Sequence, residues 1–339
     1  MNILVQMIGK IRPWICVVVI LGMFGSMAAN AQVPPRFYWK TLQGMNAVPV
    51  IAMSVSGNVN PFDPSKILLP SISASLSADV AIAGYAKMFP VWNKAAMLAV
   101  LVPMGRIQGD FLDLESGSLS RETSSGFGDP MVEFNINLIG PPPIINLPDL
   151  MRYEPGFSLD LVVDVTFPLG QYDNTQSLNL GQNRWYGRIG TPIIWQLGPW
   201  IPARRTTLEI FPSVWLFGDN DDFVGANLQS DPTFELETHL TRNFTSKFWG
   251  SLDATYSSSG DATITTTTES FPTSGSDMTL VGFTLGYQIN DSMQLTLGYK
   301  STLNNDSASN DLQMSVFMIS FTTAWHRLLE GAGRLSGGG

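Results

Sequence analysis

The chain has 339 residues, of which only 14% are charged against roughly 25% in typical soluble domains, and its formal net charge is −9. An acidic balance argues against nucleic acid as a partner, and one cysteine, Cys16, cannot supply a disulfide framework or a cysteine metal site. Beyond the N-terminal segment no stretch reaches 18 consecutive apolar residues, which excludes a helical membrane protein.

Residues 1–31 read as a cleaved signal peptide. Lys10 and Arg12 form a basic start, residues 14–24 an uncharged apolar run, and Ala29-Asn30-Ala31 an A-x-A cleavage site. The run is shorter than the roughly 20 residues of a spanning helix. Without Lys10 and Arg12, 17 basic residues face 28 acidic ones. An exported, weakly charged chain without a spanning helix points to a closed barrel, because in lipid every backbone polar group needs an internal partner. Residues 32–45 follow, with Arg36, Phe37, Tyr38, Trp39 and Lys40, and read either as a periplasmic leader or as a small plug folded into the lumen.

From residue 46 to 326 the chain alternates with period 2 in segments of roughly ten residues, which predicts an all-β, transmembrane antiparallel β-barrel of about 12 strands. Ten or fourteen are the alternatives, because residues 95–107 are apolar on both faces. The clearest strand sets Phe157, Leu159, Leu161, Val163, Val165 and Phe167 against Ser158, Asp160, Val162, Asp164 and Thr166. Two aspartates on one face cannot sit unpaired in a dry core, so this face belongs to a wet lumen. Similar patterns begin at Val132, Phe234, Val281 and Met293, and weaker ones near Val48, Ala78, Ala95, Trp185, Thr206, Phe248 and Leu312.

Alternate links are long and polar (58–77, 108–123, 168–184, 218–231, 257–277, 302–311), and most of the others are short turns, the asymmetry of outer loops and periplasmic turns. The link 140–155, with Pro141-Pro142-Pro143, is too long for a turn. Phe89, Trp92, Trp195, Trp200, Trp249 and Trp325 sit at strand ends on the short-turn side, as interface belts do. The last strand carries Phe317, Ile319, Phe321 and Trp325, and a Gly-rich tail, 327–339, follows it.

Two strings carry a resemblance. Gly126-Phe127-Gly128-Asp129-Pro130 precedes one strand, and Pro168-Leu169-Gly170-Gln171-Tyr172-Asp173 leads to Leu178-Asn179-Leu180-Gly181-Gln182-Asn183-Arg184-Trp185. With Asn46-Ala47-Val48-Pro49, they resemble the outer-membrane family named for the meta-pathway of phenol degradation, grouped with FadL-type hydrophobic-compound channels. The resemblance spans roughly residues 36–325. It implies a passive outer-membrane channel for hydrophobic or aromatic small molecules, without a cofactor, surrounded by outer-membrane lipid and inserted by barrel-assembly machinery. A general or cation-preferring porin, or a structural or enzymatic barrel, are the alternatives.

Candidate binding residues are those that alternation turns into the lumen. The acids are Asp79, Glu133, Asp160, Asp164, Glu209, Glu235, Glu237 and Asp253, against Lys87, Arg188 and Lys300; such an excess would bias an open pore toward cations unless the acids pair across strands. Tyr186, Trp215 and Trp249 share that face and suit an aromatic ligand, or serve as interior packing. Pro192 beside Gly190, and Pro212 on the next strand, interrupt wall strands; they mark either a kink with a lateral exit or a closed bulge. The run 219–222 lacks the calcium-loop pattern and reads as an outer turn. His239 and His326 are the only histidines, and no G-x-S-x-G element is present, so no enzyme is expected.

Overall fold

A computed structural model describes residues 33–67, 72–112, 119–303 and 312–327; residues 1–31, expected as a signal peptide, and the tail after Arg327 lie outside the described residues. In chain order the strands begin with β1 Asn46–Gly57, β2 Ile72–Val91, β3 Lys94–Leu112, β4 Leu119–Phe127, β5 Met131–Ile139 and β6 Phe157–Thr166. They continue with β7 Tyr186–Gly190, β8 Ile193–Gln196, β9 Thr206–Phe217, β10 Asn220–Phe223, β11 Ala226–Ser230 and β12 Thr233–Asn243. The last are β13 Phe248–Ser258, β14 Ala262–Thr265, β15 Ser270–Thr273, β16 Asp277–Asn290, β17 Met293–Thr302 and β18 Met314–Trp325.

Fourteen of these form one antiparallel sheet that closes on itself. β4 and β5 lie end to end along β3, and β7 and β8 lie end to end between β6 and β9, so the wall has twelve staves. β18 returns to pair with β1 from Asn46↔Trp325 to Gly57↔Met314, leaving no free edge in lipid. The twelve-strand barrel expected from alternation is therefore the fold. In the fourth stave Gly128-Asp129-Pro130 precedes β5, as expected, and also follows β4, so that it interrupts the stave between the two.

The two faces separate as the period requires. On β6, Ser158, Asp160, Val162, Asp164 and Thr166 are buried toward the lumen, while Phe157 and Val165 are exposed outward. On β16, Val281, Phe283, Leu285, Tyr287 and Ile289 form the outer, lipid-facing row. Asp79 and Lys87 are a correction, because β2 turns them outward and turns Leu76, Ala78, Val80, Ile82 and Ala86 inward. Trp249 is likewise buried in the lumen and takes no part in the interface belt.

The lumen is consequently two-sided. β18, β1, β2 and β3 contribute an apolar wall that includes Ile51, Met53, Val80, Ile82, Val316 and Met318. β5, β6, β9, β12 and β13 contribute the charged wall of Glu133, Asp160, Asp164, Glu209, Glu235, Glu237 and Asp253.

Outside the wall, the links 218–231 and 257–277, expected as loops, hold a second sheet in the order β10-β11-β14-β15. At the opposite end the link 140–155 carries a short helix, α1 Leu147–Arg152, capped by the Asn146 side chain on the Asp149 amide. The β2–β3 turn there puts both Trp92 and Asn93 at positive φ, as a two-residue hairpin turn needs.

One packing contact tests the barrel directly. The Trp249 indole lies across Gly286, where an added Cβ would come within 2.0 Å of the ring. Overpacking of this kind costs about 1–3 kcal/mol. Gly286→Ala should therefore lower the urea midpoint of refolding into detergent, read as heat-modifiable gel mobility, and an unchanged midpoint would refute the packing argument.

Candidate functional site

Segment 33–45 lies within the lumen at the short-turn end and is held by the charged wall. The Val33 amide donates to Glu237 Oε2 at 3.0 Å, and the Arg36 amide to Glu209 Oε2 at 2.9 Å. Trp39 Nε1 donates to Glu209 Oε1 at 2.9 Å, Tyr38 Oη to Glu133 Oε2 at 3.2 Å, and Lys40 pairs with Asp160. The Arg36 guanidinium stacks between Trp39 and Trp249, 4.3 and 4.1 Å from their centroids. Below these contacts Leu42 bridges Ile144 of the 140–155 link, and both side chains are buried.

The long-loop end is covered by two loops that fold inward. From 58–67, Lys66 reaches Glu235 Oε2 and Ser257 Oγ, each at 2.5 Å, while Val59 and Phe62 join the apolar wall. Buried Arg184 ties this loop to the next, donating to Asp63 at 3.0 Å, Ser65 at 3.1 Å and Ser230 at 2.7 Å. The loop 167–185 sends Leu178 and Leu180 into the same apolar cluster.

The motif residues account for that fold. Asp129 accepts from the Gly170 amide at 2.8 Å and the Gln182 amide at 2.7 Å, clamping both limbs of the loop. Gly170 and Gly181 permit the approach: a Cβ on Gly170 would meet Gly128 C at 2.6 Å, and one on Gly181 would meet Gly170 C at 2.8 Å. Asp173 accepts from the Thr175 hydroxyl and amide, which hold its carboxyl below the usual range. Tyr172 and Asn183 both reach Asn220 of the outer sheet, and Trp185 packs on Phe167. The string thus builds a cover; among its residues Asp129 and Leu180 touch the space beneath.

That space is a cavity of about 110 Å³. Val33 and Phe37 floor it, Phe62, Lys66 and Leu180 roof it, and the two walls meet around it. Ile51, Ile82, Leu101 and Pro103 line one side; Glu133, Tyr186, Arg188, Trp215 and Glu235 line the other. Arg188 binds Asp164 at 2.6 Å, lies 3.8 Å from Glu133 and 3.5 Å from Glu237, and sits 4.8 and 4.9 Å from the ring centroids of Phe211 and Trp215.

Of the fourteen lumen residues singled out by alternation, Glu133, Glu235, Tyr186, Arg188 and Trp215 come together at this cavity. Asp160, Asp164, Glu237 and Trp249 lie beside it, holding Lys40, Arg188, Val33 and Arg36. Asp253 accepts from Ser251 and Thr284, each at 2.6 Å, and contacts His239 Nδ1 at 2.8 Å. Alternation missed Lys66, Phe62 and Arg184, which no wall strand carries. A phenylalanine between two prolines and a lysine just after them, in Pro61-Phe62-Asp63-Pro64-Ser65-Lys66, were the available signal.

The proline positions keep their register. Val162 pairs with Gly190 and Leu159 with Ile193, three residues apart on both strands, so no bulge is present at Pro192. The Asp160 amide donates to Pro192 O, and the Thr191 amide to Pro212 O, but neither proline can return the bond. A second seam lies at Pro49: β1 pairs with β2 at Ala47↔Ala86 and again at Val50↔Ala83, skipping Val48 and Pro49. Pro49 lines the cavity; Pro192 and Pro212 do not.

A family model described as "Putative MetA-pathway of phenol degradation" matches residues 56–315. No curated protein matches the sequence. Among solved structures, the COG4313 outer membrane channel from Pseudomonas putida F1 is similar at 16% identity and TM-score 0.66, over 87% of this chain and 100% of that one. A Pseudomonas aeruginosa FadL homologue aligns at 10% identity and TM-score 0.41, over 89% and 96% of the two chains. The closed barrel with its apolar outer face, a fold shared with the Pseudomonas putida channel, makes the chain an outer-membrane protein.

Proposed function

The chain belongs to the family described as "Putative MetA-pathway of phenol degradation", and from that membership we propose that it is a passive outer-membrane channel for hydrophobic or aromatic small molecules. The observation that carries this reading is the cavity with one apolar wall, of a size to hold a single ring. Apolar protein cavities of roughly 150 Å³ take up benzene. Tyr186, Arg188, Trp215, Glu133 and Glu235 form its polar side. Asp160, Asp164, Glu237, Asp253 and Trp249 act on the solute indirectly, by holding segment 33–45 and Arg188. That segment serves as a plug, residues 1–31 as the export signal, and the aromatic row of β18 as the element met by the assembly machinery.

Proteoliposomes containing the protein should take up toluene or phenol faster than empty ones, and without an ion gradient or nucleotide. Equal rates in both would refute the channel. A general porin is disfavoured, since Lys40, Lys66 and Arg188 from three parts of the chain engage the acids that would have charged the pore.

The route out of the cavity follows the wall seam that touches it. Closing the Pro49 seam with a Val48→Cys, Tyr85→Cys disulfide should slow uptake of an apolar solute several-fold, with recovery on reduction. The same cross-link strategy at Pro192 and Pro212 should have the smaller effect; the reverse order would move the exit to β7–β9.

A further inference from the structure

Segment 33–45 enters the lumen with its N-terminal end leading: Leu42 bridges Ile144 near the short-turn mouth, and Val33 lines the cavity. We propose that hydrolysis after Ala31 gives Gln32 an α-ammonium that becomes a buried counter-ion of Glu237, so that removal of residues 1–31 is the step that lets the lumen close. The proposal rests on the reading of residues 1–31 as an export signal and of segment 33–45 as a plug. The reaction adds one water across the Ala31–Gln32 amide. It leaves a carboxylate on Ala31 and an ammonium on Gln32, because α-amino groups are mostly protonated at neutral pH.

Covalent geometry places that ammonium. The Val33 amide donates to Glu237 Oε2 at 3.0 Å. The α-nitrogen of the preceding residue stands at most about 3.7 Å from that amide nitrogen, and so within about 7 Å of the carboxylate. Rotation about one Cα–C bond sets the remaining separation. The first charge of the mature chain cannot leave the neighbourhood of Glu237 while Val33 keeps its place.

Glu237 is short of a cation. Its side chain is fully buried, and its hydrogen-bond donor among the described residues is the Val33 amide. Arg188, 3.5 Å away, binds Asp164 at 2.6 Å and lies 3.8 Å from Glu133, so one guanidinium faces three carboxylates. The other basic groups of the lumen are placed elsewhere. Lys40 pairs with Asp160, Lys66 with Glu235 and His239 with Asp253. Arg36 donates to Asn243 at 2.9 Å and Lys300 to Thr255 at 3.4 Å. A buried carboxylate without a full partner is costly, so a cation delivered beside it is retained.

An uncleaved chain cannot make this arrangement. Residues 1–31, with Lys10, Arg12 and an apolar run, would have to continue from Val33 into a cavity of about 110 Å³ roofed by Phe62, Lys66 and Leu180. The amide nitrogen that Gln32 keeps in the precursor would bring no charge to Glu237.

The test uses the mature protein, purified from outer membranes and folded in detergent. Intact mass and N-terminal sequencing should give a chain that begins at Gln32 with a free amine. Pyridine-2-carboxaldehyde condenses with a free α-amine and the amide next to it. It should label the urea-unfolded protein fully and the folded protein at least about tenfold more slowly, because labelling then waits on local opening. Folded Glu237→Gln should lose most of that protection, since it keeps the shape and removes the charge. In the wild type a water-soluble carbodiimide, which joins an amine and a carboxylate in contact with loss of water, should link Gln32 to Glu237; this arm needs no variant to fold. Equal labelling of folded and unfolded forms overturns the inference, as does a different first residue. So does a cyclised Gln32 that has lost ammonia and labels in neither form. Protection that persists in Glu237→Gln, or a Gln32 amine that links to no carboxylate or to a different one, overturns the pairing with Glu237. None of these results touches the conductance of a chain lacking residues 33–44, on which the plug reading stands or falls.

Discussion

Deleting residues 33–44 should turn a closed barrel into a steadily conducting pore that prefers cations. The segment supplies donors to Glu237, Glu209, Glu133 and Asp160, four of the seven lumen acids. Removing it withdraws Arg36 and Lys40 and re-wets those carboxylates, leaving Arg188, Lys66 and Lys300 against seven acids. Charged rings of one sign set pore selectivity, so potassium should pass in preference to chloride. Planar-bilayer recording under a potassium chloride gradient reads both parts of the result. The wild-type protein should show little steady conductance, and the deletion several-fold more, with a reversal potential on the cation side. An anion-preferring or unchanged pore would show that the segment does not govern the lumen. Arg36→Gln with Lys40→Gln offers a milder variant that keeps the chain length and should open the pore less often.

Asp129→Ala should release the outer cover while leaving the barrel intact. The carboxylate accepts two backbone amides, from Gly170 and Gln182, and hydrogen bonds to a charged group contribute about 1.5–3 kcal/mol each. A loss of about 3 kcal/mol or more exceeds what the rest of the loop can absorb, because Leu178 and Leu180 leave the apolar wall with it. Arg184, now buried against Asp63 and Ser65, would become a trypsin site. Limited proteolysis should cut the variant at Arg184 while the wild type resists, and heat-modifiable mobility should remain in both. Asp129→Asn, which keeps one good acceptor, should fall between them. A trypsin-resistant Ala variant would show that the glycine stack holds the loop without the clamp.

The period-2 pattern determined the fold class, the twelve staves and most of the lumen face, because strand geometry sends alternate side chains to opposite sides regardless of what lies elsewhere. Asp160, Asp164, Glu235, Glu237 and Asp253 were legible in this way. Asp79 and Lys87 were not: β2 alternates clearly, but its apolar row, with Leu76, Ala78, Val80 and Ile82, faces the apolar side of the lumen, so the rule that polar residues face inward is reversed there. The interrupted fourth stave escaped notice for a related reason, since Gly128-Asp129-Pro130 has the composition of a turn.

What the lumen contains was decided only by tertiary structure. Alternation counts wall residues, and on that count the interior is an acidic pore. The neutralising groups come from elsewhere: Lys66 meets Glu235 across 169 positions of sequence, and Lys40 meets Asp160 across 120. Local periodicity carries no information about such pairs, because the contacts form only when a non-strand segment enters a cylinder already closed by β1 and β18. The sequence by itself determined a twelve-strand wall with acids facing inward. The tertiary structure converted those acids from a conducting surface into the anchors of two closures, because burial of a charge demands a partner and the loops and the N-terminal segment supplied it.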